Sequence, residues 1–231
     1  MNALDSLLSS PVFGVTVTVG FYVLSLHLQR RWLWLHPLFL TSGGTILLLI
    51  LADIPYESYA KGGDIIAFFL GPATVALAVP LYKRRYEIRE HFIRIVGSIT
   101  VGSAVGIASS WFLVFTFGGS WDLLIASLSK SATSAISVEL SRSLGKPPEL
   151  AAVLSVLTGL TGSMLGPLLL RLLRLDGAIP LGLAIGTASH GIGTSRLMRD
   201  NEQAGSYAGL AMGITGIVIS ILFIPIVWWL H

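Results

Sequence analysis

The sequence contains no cysteine. That excludes disulfides, thiolate metal sites and a cysteine nucleophile, and it leaves the compartment open. Charge is scarce as well. Asp, Glu, Lys and Arg make up 12% of 231 residues, about half the ~25% of an ordinary soluble domain. The N-terminal "MNALDSLLSS" carries no basic stretch, so a cleaved signal peptide is not expected and the first apolar run should stay. What the chain has instead is apolar residues, 53% of the total, in runs near the ~20 residues that cross a bilayer as a helix. An all-α, multi-pass protein of the cell membrane follows. One membrane domain over 1–231 is the simplest organisation, with no room for a second soluble module.

About eight apolar segments can be read, near 11–29, 33–52, 64–82, 93–117, 122–142, 149–171, 178–199 and 204–230. The first two read as scaffold spans and 64–199 as the working core. Turns are expected at "QRRW" and at the polar loop "DIPYESYAKGGD". Trp32, Trp34, Trp121, Trp228 and Trp229 mark expected membrane interfaces. The net charge of +3 suggests no nucleic-acid partner, because the basic residues sit in short loops where topology explains them. Arg30, Arg31, Lys83, Arg84, Arg85 and Arg89 define one side, taken as cytoplasmic. If every later segment crosses, Arg142, Lys146, Arg196 and Arg199 join that side, and Arg171 and Arg174 fall outside with Lys61. If segment five or seven re-enters, the later loops change sides. Glycines at four-residue spacing, such as Gly102/Gly106, Gly162/Gly166 and Gly182/Gly186, suit close helix packing in lipid.

Segments five and seven are poor spans. Segment five reads "WDLLIASLSKSATSAISVEL", with Lys130 near its centre among serines and Thr133. A lysine at mid-bilayer costs about 2.5–3.5 kcal/mol on insertion scales. Lys130 must therefore face a polar cavity, pair with an acid or mark a helix break. Asp122 and Glu139 lie eight and nine residues away, so neither is an i+4 partner. Segment seven reads "IPLGLAIGTASHGIGTSRLM". Its glycines, at about 1 kcal/mol each in a helix interior, and its β-branched Thr187 and Thr194 predict unwound backbone. Such backbone is tolerated at membrane depth only inside protein or beside water.

Interrupted segments point to a transporter binding site. A half-helix starting near Ser131 or Thr194 would aim free N–H groups and a positive dipole end inward, where an anion is stabilised. The candidate binding residues are Lys130, Ser131, Thr133, Ser189, His190 and Thr194, with His190, Arg196 and Glu139 as candidates for gating or proton coupling. The serines and threonines could equally back-bond their own helices. His190 could contact substrate, shuttle a proton or only pack. A lone histidine without a second ligand at metal spacing suggests no metal site, and no cofactor is expected. Ser189 and His190 are neighbours in sequence and lack an acidic orienter, so no catalytic constellation is legible. The glycines of 186–193 follow no strand and precede no lysine, unlike a phosphate loop. A faint echo aligns "LGPATVALAVPLYKRR" with "SKSATSAISVELSRSL", a possible internal repeat.

"GTASHGIGTSR", "SKSATSAIS" and "GPATVALAVPLYKRR", in this order and spacing, resemble the LrgB/CidB family over nearly the whole chain. That family includes the plastidal glycolate/glycerate translocator. The family pattern around Lys130 reads Pro-Lys-Ser-x-Thr-Thr-Pro-Ile; here Ser129, Ser134 and Ala135 replace its prolines and second threonine. The resemblance implies one of two functions. One is antiholin-like regulation of murein hydrolase export and lysis, with a small LrgA/CidA-type membrane partner. The other is transport of small monocarboxylates such as glycolate, glycerate or pyruvate. Two interrupted helices carrying Lys130 and His190 favour the carrier, working as a homo-oligomer, expected to be a dimer, and not as an enzyme.

Overall fold

The computed structural model describes residue 8 and residues 10–31, 37–76, 78–83 and 85–230. Trp32, Trp34 and Arg84 lie outside them, as does the side chain of Trp229. The protein is all-helical there, and its helices form two compact units, Met1–Ala76 and Leu77–His231.

The first unit holds α1 (Pro11–Arg31), α2 (Pro37–Leu51), α3 (Tyr56–Phe68) and α4 (Leu70–Ala76). Helix α1 ends on Arg30 and Arg31, cations suited to the negative end of a helix dipole. It crosses α3 backbone against backbone, because a Cβ on Gly62 would lie 2.6 Å from Gly14 Cα. The Thr18 and Tyr59 hydroxyls, 2.9 Å apart, bond beside this crossing. The loop expected at "DIPYESYAKGGD" is mostly helix: α3 starts at Tyr56, just after Pro55, and Gly62 is inside it. Segment three is accordingly not one span over 64–82. It divides into the end of α3, α4 and α5. A polar stretch forms helix here because its glycines supply the close contact with α1, a tertiary gain that outweighs their propensity.

The second unit holds α5 (Ala78–Lys83), α6 (Arg85–Glu90), α7 (Phe92–Thr116), α8 (Trp121–Leu128), α9 (Ser134–Ser143), α10 (Pro148–Leu172), α11 (Ala178–Asp200) and α12 (Glu202–Leu230). Along the chain, α1, α7, α10 and α12 through Trp228 are long and apolar enough to cross a membrane. Their outer faces show Val101, Phe112, Leu165, Leu168, Ile217 and Ile221 to the surroundings, as lipid-facing helices do. Helices α7 and α12 run parallel. Ile95 and Ile99 share a buried cluster with Tyr207 and Ala211 at one end, and Ile107 and Val114 pack with Ile219 and Phe223 at the other.

Segment five breaks. Ser120 caps α8, accepting from the Leu123 N–H at 3.2 Å, and Thr133 caps α9, accepting from the Ile136 N–H at 3.5 Å. The eight residues of α8 and ten of α9 reach about 12 and 15 Å, too short for a ~30 Å hydrocarbon core. Lys146, after α9, puts Nζ 2.9 Å from Asp122 Oδ1 at the start of α8. Leu124 and Leu144 belong to one cluster. The segment therefore enters and leaves on the same side, as a re-entrant hairpin with its tip at Ser129–Thr133.

Segment seven also folds back. Its helix is interrupted at His190, where φ is 39° and ψ −131°. A Cβ on Gly193 would sit 2.5 Å from Ile185 Cγ2, so the halves touch. Ile185 and Leu197 share a buried cluster, although twelve residues of straight helix would part them by about 18 Å. The first half runs parallel to α12, with Gly182 against Ala204 and Gly186 against Ala208; the second runs antiparallel, with Thr194 beside Gly209 and Met198 against Gly205. The arrangement in which every segment crosses is thereby corrected. Helix α10 ends beside the start of α11, Leu170 packing with Ala178 and Leu181. Arg171 and Arg174 therefore join Arg85, Arg89 and Arg199 at the basic end of the unit, the end expected from the sequence to be cytoplasmic, and Arg142 and Lys146 move to the opposite one.

Re-entry makes a direct prediction. In this cysteine-free chain, Asp122→Cys with Lys146→Cys should cross-link through a short bismaleimide. Full crossing would hold the two positions apart by about the ~30 Å of a bilayer core. A folded double variant that resists cross-linking would contradict the hairpin.

Candidate functional site

Both hairpin tips reach Ser155 of α10, a residue with no exposed surface. The Ser155 hydroxyl donates to the Ala132 carbonyl at 2.9 Å, and the Ser134 hydroxyl donates to Ser155 Oγ at 3.3 Å. From the other tip, His190 Nε2 lies 2.9 Å from the Ser155 carbonyl and 3.3 Å from its hydroxyl. A carbonyl can only accept, so Nε2 carries a proton and donates. One serine thus ties the two unwound stretches together.

Small residues of α10 admit the second tip. A Cβ on Gly159 would lie 2.8 Å from His190 Nε2, and one on Gly162 would overlap Ser189 Oγ. The Gly162 position, read from sequence as generic packing, is thus also a fitted seat for one side chain. His190 holds a backbone conformation that L-residues seldom adopt, at a cost of order 1–3 kcal/mol. Its ring bond to Ser155 and the Thr194 hydroxyl, which donates to the His190 carbonyl at 2.7 Å, hold it there. Within the first tip, the Ser137 hydroxyl donates to the Ser129 carbonyl at 2.6 Å.

Beside the first tip lies a cavity of ≈ 870 Å³, within the ~300–1,000 Å³ of small-molecule sites. Lys130 and Ser131 line it, with Thr158, Thr187, His91 and Arg94. No aspartate or glutamate is among the lining residues. Among the described residues no acid pairs with Lys130 or Arg94. The break near Lys130 is present, and the cavity it faces is mostly apolar, with a few polar side chains on its wall. An ammonium with no acid partner among the described residues, set in a mostly apolar cavity, attracts anions by elementary electrostatics. The N-terminus of α9 adds the positive end of a helix nearby.

The sequence-derived residues fall into distinct places. Lys130 and Ser131 line the cavity. Thr133 caps α9, which starts at Ser134 and not at Ser131. Ser189, His190 and Thr194 are buried at the second tip, outside the cavity lining. The second half-helix follows His190 directly, ahead of the expected Thr194, because the reversal is made at His190 itself. Ser189 Oγ has no hydrogen-bond partner. Arg196 donates to the Ser163 carbonyl and lies 3.7 Å from Asp200. Glu139 is exposed and pairs with Arg142 at 3.0 Å, on the face of the Asp122–Lys146 bridge. Sequence reasoning missed Ser155, Thr158, His91, Arg94 and Ser103. A signal for His91 and Arg94 existed: His91, Arg94, Ser98, Gly102 and Gly106 recur every three or four residues, a small and polar stripe on one face of an otherwise apolar helix.

Comparison with known proteins agrees with this architecture. Residues 18–230 match the LrgB-like family. The chain is 35% identical over 218 residues to the protein YxaC of Bacillus subtilis (strain 168), covering 94% of each chain. It is 33% identical over 214 residues to the "Holin-like protein CidB" of Staphylococcus aureus (strain Mu50 / ATCC 700699), covering 92% of this chain and 93% of that one. No solved structure matches it. With this coverage, and with helices built to cross a bilayer, the chain belongs to the LrgB-like family of multi-pass membrane proteins.

Proposed function

We propose that this protein is a secondary transporter of small 2-hydroxy or 2-oxo monocarboxylates, such as glycolate, glycerate or pyruvate. The observation that carries the reading is Lys130 at the tip of a re-entrant hairpin, with no acid partner among the described residues and no acid among the residues lining its cavity. Lys130 and Ser131 hold the carboxylate. Thr158 and Thr187, from α10 and α11, offer hydroxyls to the 2-substituent. The second tip, with Ser189, His190 and Thr194, supports the site from behind, and His190 reaches it through Ser155. Arg196 braces the second half of α11 against α10 and takes a gating role. Two opposed re-entrant hairpins suit alternating access, because non-helical backbone at membrane depth lines a substrate path in such carriers. This reading needs no bond-making chemistry; the protein is a homodimeric carrier, not an enzyme.

A relative's name, holin-like protein, favours a second reading: an antiholin-like regulator of murein hydrolase export and lysis, acting with a small LrgA-type partner. One experiment separates them. Proteoliposomes holding the purified protein should take up labelled glycolate or pyruvate saturably, with unlabelled substrate competing, and retain an encapsulated dye. Dye leakage without saturable uptake would remove the carrier reading.

A further inference from the structure

The cavity is longer than the Lys130 end requires. Its wall runs from His91, just before α7, and then along α7 from Arg94 through Ser98 and Ser103 to Gly106. Arg94 to Gly106 is about 18 Å at 1.5 Å per residue. Ser131 marks the inner end, its Oγ 3.8 Å from where a Gly106 Cβ would be. Arg94 marks the mouth, at the basic end of the unit, and among the described residues it has no ion-pair partner. Between them Ser103 is 2% exposed, lines the cavity, and its hydroxyl has no partner. That is unusual, since a helical serine ordinarily bonds back to a carbonyl one turn earlier. Ser98 and Ser110 on the same helix do so, at 2.9 and 2.8 Å.

We infer that Arg94 is a second anion station, which recruits the anion at the cavity mouth and passes it along Ser103 to Lys130. The cargo's identity rests on the carrier reading; the anion path does not. Two cations on the wall of a mostly apolar cavity with no acid among its described lining residues focus potential along it and raise the local concentration of anions. Two spaced sites also let an anion leave one for the other, whereas a single deep site would trap it. The Ser103 hydroxyl is a donor between the two stations.

The absence of cysteine supplies the test. Ser98→Cys places a single thiol on the cavity wall, one turn beyond Arg94. Its modification rate is measured with sulfonate-bearing and trimethylammonium-bearing methanethiosulfonates, each normalised to its rate with free cysteine. The anionic reagent should be favoured about tenfold or more, within the range of electrostatic rate enhancements. Arg94→Gln should lower that preference several-fold, and Arg94→Lys should keep it. Molar salt should also lower it in the Ser98→Cys protein alone, a measurement independent of whether Arg94→Gln folds. A preference that survives both Arg94→Gln and molar salt overturns the inference. Protection of the thiol by pyruvate or glycolate would support the carrier reading too. An Arg94-dependent preference with no such protection keeps the anion path and removes the monocarboxylate.

Discussion

Lys130→Gln should lower the initial rate of carboxylate uptake into proteoliposomes by about thirtyfold or more. The substitution removes the charge, keeps a hydrogen-bond donor and shortens the side chain by one atom. Among the described residues Lys130 has no carboxylate partner, so no acid inside the protein is stranded by the change and folding should survive. The loss falls on the anion. Removing one partner of a buried, hydrogen-bonded charge pair costs about 2–5 kcal/mol, and each 1.4 kcal/mol is a factor of ten. Lys130→Arg should rescue only in part, because a planar guanidinium is wider than an ammonium and presents its donors in a fixed fork. Near-normal uptake by a folded Lys130→Gln protein would show that the cavity is not the transport site.

Gly162→Ala should be clearly destabilising, and the damage should be repairable. A Cβ at that position overlaps Ser189 Oγ, with Ser189 Cβ 3.3 Å away. The neighbour is a short, buried side chain beside a constrained backbone, so it has little room to yield. Overpacking of this kind costs about 1–3 kcal/mol. The thermal midpoint in detergent should fall by several degrees, and uptake with it. Ser189→Ala removes the clashing atom and with it a buried oxygen that has no hydrogen-bond partner. The double variant should therefore recover most of the midpoint, since 3.3 Å is a tight contact that small shifts relieve. Failure of Ser189→Ala to restore any stability would mean that the second tip does not seat on α10 as described.

Much of this was legible in the sequence, for physical reasons that can be stated. Lys130 in an apolar segment violates the solvent rule for lipid, so the break at Ser129–Thr133 could be read from composition. Glycines around His190 announced the second break. The direction of the chain after each break could not be read. Re-entry and crossing use the same residues, and the choice is made by distant contacts: Lys146 on Asp122, Leu144 beside Leu124, Gly193 on Ile185. Ser155 was invisible for a related reason. A single serine in α10 carries no pattern, and its role exists only because two tips arrive from either side of it in sequence. Thr194 shows the converse. It is polar at depth, as a ligand would be, and its hydroxyl hydrogen goes to the His190 carbonyl.

The bonding at Ser155 also has a direction. The Ser134 hydroxyl gives its hydrogen to Ser155, Ser155 gives its own to the Ala132 carbonyl, and His190 Nε2 gives to the Ser155 carbonyl. The Ser134 hydrogen ends on the Ser155 hydroxyl, and those of Ser155 and His190 end on amide oxygens, which are too weak as bases to accept a proton outright. Nε2 is therefore a fixed strut, closed to proton traffic. Of the two ring nitrogens only Nδ1 keeps a lone pair to offer while this bond stands. A proton that enters or leaves His190 does so on the face of the imidazole turned away from Ser155, and the side that braces the hairpins stays the same in either charge state.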